Sequence, residues 1–318
     1  MNIIKIEDLL RSYYKEFDKD KSYFKSKYEF LYNKIRKDQG YIITIAGRPG
    51  HGKTILRQAI LWDLINQNSD VIFNVVDFQL DVPLTYLLEK DMAREGYDYN
   101  KKDHIIEYGK RIINKGVNVH FIDSINTIEE IYTYARLVFD NNKGDNVCNI
   151  LTLDFAGLIP QSRVEGGISE FLNICKKLRK EYNCISIVLT QLNRNVNDNS
   201  RIKQASPLNR ILDTDIYGSD LFMQYSDLLI TIDVPLKRGI NIWSEKSIMC
   251  DNDTVIITLL KDRITGNLST YVYKKNKFDY EFMYDLDTYI SEGSNNQESY
   301  IEEDYDQLDE EYDDIDNI

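Results

Sequence analysis

From position 40 onward the chain alternates short, unbroken apolar runs with longer stretches in which apolar residues recur every three or four positions. The short runs predict strands buried on both faces, and the longer stretches predict helices lying on a sheet. Residues 41–46 (YIITIA) are such a strand and residues 55–68 (ILRQAILWDLINQN) such a helix. Further strands are expected at 71–76, 118–122, 149–153 and 185–190, separated by helices at 83–95, 127–139 and 168–182. Strict alternation predicts an α/β fold with a mostly parallel sheet flanked by helices. Past Asp220 the rhythm changes: residues 227–232, 254–260 and 269–273 are β-rich runs joined by turns, which predicts a C-terminal antiparallel extension. Residues 6–36 carry apolar positions at roughly helical spacing (Ile6, Leu9, Leu10 and Tyr13, then Tyr28, Leu31 and Ile35), which predicts two amphipathic helices, the first near residues 6–17.

The pattern divides the 318 residues into an N-terminal helical or linker segment (1–39), a main α/β domain (40–290) and a tail (291–318). No run of 18 apolar residues occurs and the N-terminus is too polar for a signal peptide, so a cytoplasmic protein without a membrane span is expected. Cys148, Cys175, Cys184 and Cys250 form no Cys-x-x-Cys pair, and His51, His104 and His120 fall in no ligand spacing; reduced, packed thiols are expected in place of zinc or disulfides. The net charge of −13 argues at first against a nucleic-acid partner, but eleven acidic residues and no Lys or Arg lie between Glu298 and Ile318, which leaves −2 on the rest. A basic channel in the body is therefore compatible with the charge. The tail has no helical or strand period and reads as disordered.

The first strand and helix are joined by GRPGHGKT, residues 47–54, which fits the pattern G-x-x-x-x-G-K-[ST] in its required strand–loop–helix setting. In such a loop the backbone of Gly47, Arg48, Pro49, Gly50, His51 and Gly52 wraps phosphates, Lys53 offsets their charge and the Thr54 hydroxyl ligates Mg²⁺. ATP with Mg²⁺ is the expected cofactor. The strand at 149–153 ends in Asp154, the carboxylate that supports the ion in sites of this kind. The strand at 185–190 ends in Gln191, an amide placed to contact a γ-phosphate.

Together, GRPGHGKT, HFIDSINTIEEIYTYARLVF (120–139), ILTLDFAGLI, ISEFLNICKKLRKEYN (168–183), LTQLNR (189–194) and LLKDRITGNLSTYVY (259–273) resemble, in order, the C-terminal motor domain of DnaB-type replicative DNA helicases over residues 40–280. The resemblance implies a RecA-like P-loop NTPase that works as a ring hexamer, translocates on single-stranded DNA and unwinds duplex 5′ to 3′. It implies that Arg263, with Lys261, reaches the γ-phosphate of a neighbouring subunit. The family's catalytic Glu, just after the second strand, falls on Asp77, with Asp81 and Glu89 ranked behind it; a shorter acid at that place implies either slow hydrolysis or a shifted backbone that compensates. The loops 160–167 and 195–218 would face the ring channel, with Arg163, Arg194, Arg201 and Lys203, beside Arg210, as the cations expected on the DNA backbone. Only about 40 residues precede the phosphate loop, too few for the family's N-terminal collar, which is the pattern expected of a phage or other mobile element. Primase, a loader or a single-strand-binding protein are the protein partners the resemblance implies. Two alternatives stay open: a RecA/RadA-like recombination ATPase, and a weakly hydrolysing DNA-binding ring or helicase loader.

Overall fold

The computed structural model describes residues 6, 22–141, 144, 146–160, 166–202, 210–243, 248–277 and 279–285. Arg163, Lys203, the acidic tail and, apart from Ile6, the helix expected at 6–17 lie outside the described residues.

The apolar run at the start of the α/β region forms β1 (Tyr41–Gly47), every residue of it buried. It lies inside a nine-stranded sheet, paired in parallel with β5 (Ile185–Gln191) on one side and β6 (Leu228–Asp233) on the other. Beyond β5 come β4 (Val147–Asp154), β2 (Ile72–Gln79) and the edge strand β3 (Val117–Ile122), all parallel. Beyond β6 the sheet turns antiparallel through β9 (Thr254–Asp262), β10 (Thr270–Asn276) and β11 (Asp279–Asp285). A separate two-stranded ribbon joins β7 (Ile242–Trp243) to β8 (Ile248–Met249).

Alternation along β1 assigns the two faces. Ile43 and Ile45 join a core with Leu56 and Ile60 of α1 (Lys53–Gln67), whereas Ile42 and Ala46 join a second core with Phe139 of α4 (Ile128–Asn141) and Phe171 of α5 (Gly167–Tyr182). Each large apolar side chain buried in this way contributes about 1.5–3 kcal/mol. Between β2 and β3 run α2 (Leu84–Arg94) and α3 (Lys102–Asn114); α6 (Asn199–Ile202) and α7 (Ser219–Tyr225) precede β6. The parallel sheet with its antiparallel extension is the architecture expected from the alternation, while α3, α6, α7, β7, β8 and β11 are additional elements. Cys148, Cys175 and Cys184 are buried free thiols whose pKa burial pushes up, and among the described residues no helix is long and apolar enough to cross a membrane.

The helix expected over Tyr28, Leu31 and Ile35 does not form. Residues 29–31 make a single 3-10 turn and Asn33 takes a left-handed φ of 53°. Tyr, Phe and Asn are poor helix formers, and a stretch this short is marginal as a helix. Its rings are buried one by one against the antiparallel strands instead: Phe30 stacks on Tyr28 at 5.4 Å between centroids and meets Tyr273 edge-on at 6.0 Å. The buried Lys34 ammonium pairs with Asp262. A Phe30→Ala variant should therefore lose about 3–5 kcal/mol of unfolding free energy, read as a lower denaturant midpoint. A loss below about 1 kcal/mol would show that this segment is not part of the core.

Candidate active site

β1 ends at Gly47 and residues 48–52 carry the chain to α1. Gly50 and Gly52 have φ of 78° and 96°, a region that side-chain-bearing residues seldom occupy. A Cβ on Gly52 would also lie 2.6 Å from the Tyr280 hydroxyl, which donates to the Gly52 carbonyl at 3.1 Å. The first helical bond of α1 runs from Leu56 N–H to Gly52 O at 2.8 Å, so the N–H groups ahead of it stand outside the helix ladder, as anion binding requires.

These groups open on a cleft of about 290 Å³ lined by Lys53, Thr54, Asp81, Asp154 and Gln191, with Tyr86 of α2 among its other walls. Pairing in the sheet brings the lining together: Gly47 is in register with Gln191 across β1–β5, and Gln79 with Asp154 across β2–β4. Thr54 Oγ1 donates to Asp154 Oδ2 at 2.6 Å, a pair of hard oxygen donors of the kind that Mg²⁺ takes. Burial raises the Asp154 pKa, opposed first by the Arg57 charge and then by the Thr54 hydroxyl. Burial lowers the Lys53 pKa, opposed by Asp154 and Asp81. Both desolvated charges are the groups a triphosphate with a divalent cation would compensate, so the residues fit nucleotide and Mg²⁺.

The structure places Asp77 inside β2 instead of just after it. β2 does not stop at Val76 but runs to Gln79, which puts Asp77 inside the strand and fully buried. There it forms an ion pair with Arg57 of α1 and accepts from Thr152 and, at 2.6 Å, from Gln79. A carboxylate enclosed in this way has no path to an attacking water. Asp81, two residues beyond the strand, is exposed and lines the cleft; Glu89 is exposed on α2 and does not. The continuing apolar alternation at Phe78 and Leu80 is the signal in the sequence that marks the longer strand.

Two loop residues, Arg48 and His51, are not among the residues that line the cleft. Arg48 Nη1 donates to the Leu192 carbonyl at 2.9 Å, and the buried His51 accepts from Val234 N–H at 3.1 Å. Lys261 and Arg263 emerge where β9 ends, beside the beginning of β6, the opposite end of the sheet from Gly47. Lys261 donates to the Met223 carbonyl; Arg263 donates to Gln224 O at 3.0 Å and keeps 53% of its side chain exposed. Across β6, Lys261 stands level with Thr44 and Asp262 with Ile43, so roughly three and five residues of β1 at about 3.3 Å each lie between the two cations and Gly47, and neither side chain lines its own cleft. Arg194 is exposed in the 3-10 turn Arg194–Asn197 that follows β5. Arg201, expected on DNA, is turned inward instead: it forms an ion pair with the buried Asp215 and donates to the Arg210 carbonyl at 2.7 Å, because a carboxylate at that depth needs a cation.

A glycine loop between β1 and α1, an acidic strand end at Asp154 and a terminal amide at Gln191 on a mostly parallel sheet define a P-loop NTPase of the RecA-like type. The profile of the DnaB-like helicase C terminal domain matches residues 36–232, more than half of the chain. The chain belongs to that family, and its fold is that of a helicase-type ATPase motor. Among solved structures, the ATPase domain of G40P superposes with a TM-score of 0.65 at 19% identity, covering 89% of this chain and 100% of the other. A DnaB-like replicative helicase studied with its primase superposes with a TM-score of 0.62 at 17% identity, covering 89% of this chain and 68% of that one. A comparison with curated protein sequences returns no match.

The two carboxylates should separate by experiment. Asp81→Asn is expected to lower ATP turnover by about 10²–10⁴ while stability changes by less than about 0.5 kcal/mol. Asp77→Asn is expected to cost about 3–5 kcal/mol in denaturant unfolding, because it leaves the Arg57 charge buried without its counterion. Wild-type turnover in Asp81→Asn would remove that residue from the reaction.

Proposed function

We propose that the chain is an ATP-hydrolysing motor that moves along single-stranded DNA and unwinds duplex, assembled as a closed ring of six copies with 5′ to 3′ polarity. The observation that carries this reading is the separation of two halves of one site. The cleft holds Lys53, Thr54, Asp81, Asp154 and Gln191 at one end of the sheet, and Lys261 with the exposed Arg263 sits at the other. Head-to-tail association is the arrangement that joins them, and it closes into a ring when the rotation between copies closes.

Within the joined site the roles follow from position. The α1 N-terminus and Lys53 bind the β- and γ-phosphates, and Thr54 with Asp154 would hold Mg²⁺, which when bound neutralises charge on the phosphate oxygens. Asp81 accepts a proton from the attacking water, which bonds to the γ-phosphorus as the bond to ADP breaks. Gln191 contacts the γ-phosphate and registers its departure. Arg263 from the next copy stabilises the charge that spreads over the transferring group, a contribution of about 10³–10⁵ where such a finger has been removed. Arg194, beyond Gln191, lies on the segment that would meet the DNA backbone. Primase, loader or single-strand-binding proteins are the partner classes that follow from this role.

Unwinding of a forked DNA by the full chain with ATP tests the whole reading, and an open filament on single-stranded DNA in particle images would favour recombination chemistry instead. The shared site has its own test. Arg263→Ala and Lys53→Ala proteins should each be inactive, and mixtures should recover part of the ATPase activity because a Lys53→Ala copy still offers its Arg263 to a neighbour's intact cleft. No recovery at any mixing ratio would show that the cation does not act between copies.

A further inference from the structure

The two phosphate-loop side chains that point away from the cleft both lead to the segment that follows Gln191. Arg48 reaches it directly, through its bond to the Leu192 carbonyl. His51 reaches it through a buried relay. Its Nδ1 lies 3.1 Å from Val234 N and 3.2 Å from Asp233 Oδ1 at the end of β6. With a lone pair there it accepts from Val234, and with a proton there it donates to Asp233; either arrangement docks the loop on β6. Asp233 Oδ2 accepts from Arg238 Nη1 at 2.7 Å, and Arg238 Nη2 donates to the Val196 carbonyl at 2.9 Å. The Asp233 and Arg238 side chains are 3% and 0% exposed, and Val196 is fully buried in the turn that presents Arg194.

A fully buried ion pair adds little stability over well-packed apolar side chains, so stability alone does not account for it. What the guanidinium supplies is a rigid planar fork that meets a carboxylate and a backbone carbonyl through two separate nitrogens, which an apolar residue cannot do and the single flexible Lys nitrogen does not reproduce. We propose that Arg238 is a positioning residue of the motor. Together with Arg48 it fixes residues 192–197 to the phosphate loop at two carbonyls, so that nucleotide in the cleft sets the position of Arg194. By reciprocity, DNA on that turn then acts back on Gln191 and on hydrolysis. The relay rests on the reading of the cleft as the ATPase site of a DNA motor.

Two variants of the full chain test it. Arg238→Lys keeps a cation for Asp233 but loses the two-nitrogen fork that holds both acceptors, and the double change Asp233→Leu with Arg238→Met removes the pair without leaving a buried charge alone. The first readout is hydrogen exchange with and without a non-hydrolysable ATP analogue. In the wild type the analogue should slow exchange of residues 192–202 by about tenfold; in both variants that slowing should vanish while protection of residues 47–56 shows that the analogue is still bound. The second is the ATPase rate with single-stranded DNA, whose stimulation of kcat should drop about tenfold in the variants while KM for ATP stays within about twofold. Variants that keep both the exchange response and the stimulation, or a wild type whose turn ignores bound nucleotide, would overturn the relay. A wild type that binds the analogue and slows exchange but is not stimulated by DNA would sink the DNA-motor reading and leave the relay standing. If the double variant does not fold, Arg238→Lys decides alone.

Discussion

The backbone N–H groups at the start of α1 have to stay outside the helix ladder and yet be held in place, and much of the molecule is arranged around that requirement. The holding comes from two sides. β1 is paired along its length with β5 and along Ile43–Gly47 with β6, so Gly47 cannot move without breaking two ladders. α1 is buried almost throughout, from Leu56 to Ile65, so the helix cannot slide on the sheet without opening the core. The same pairing that fixes the loop also places Gln191 and Ile232 beside it. The placement of Gln191 in the cleft and the strand end that carries the His51 contact are therefore consequences of strand order, not separate devices.

A second constraint lies one layer below. The ion pair of Arg57 with Asp77 is completely enclosed, and Thr152 donates to the same carboxylate. It ties α1 to β2 and β4 at the register Asp77–Thr152, one pleat below the pair Gln79–Asp154. Enclosed charges of this kind are costly to desolvate and gain little over apolar packing, but they tolerate few alternative registers. Here the register matters because β2 delivers Asp81 and β4 delivers Asp154 to the same cleft. The Arg57 charge also opposes the upward pull of burial on the Asp154 pKa. Asp77 is thus part of the enclosed scaffold under the site, and Asp81 is the carboxylate beyond β2 that lines the cleft.

Much of this was legible from the sequence because most of the parallel strands are unbroken apolar runs and the loop pattern is long. The phosphate loop, Asp154 and Gln191 come from strand ends that apolarity marks clearly. The end of β2 was misplaced because Asp77 breaks its apolar run and looks like its end; nothing local tells that a buried Arg57 twenty residues earlier pairs with it. The segment at 22–35 carries helical spacing but is decided by contacts with strands more than two hundred residues away, which no local window contains. Similarly, Arg201 reads as a loop cation until its partner Asp215 is seen. In each case a long-range charge or ring contact outweighed a local pattern.

The polarity of the sheet has a further implication for how such a chain would do work. A parallel strand set gathers its functional termini at one end, and the antiparallel β9 runs back to deliver Lys261 and Arg263 to the other. One copy therefore carries a binding cleft and a cation that point in opposite directions. Joined head to tail, every cleft would lie between two copies, and closure around nucleotide would change the angle between them, with hydrolysis releasing it. A nearly neutral body suits this arrangement, since strongly charged bodies of like sign would repel at each junction. Confining most of the acidic excess to residues from Glu298 onward keeps that charge out of the described α/β core, where both the cleft and the cation that would complete it reside.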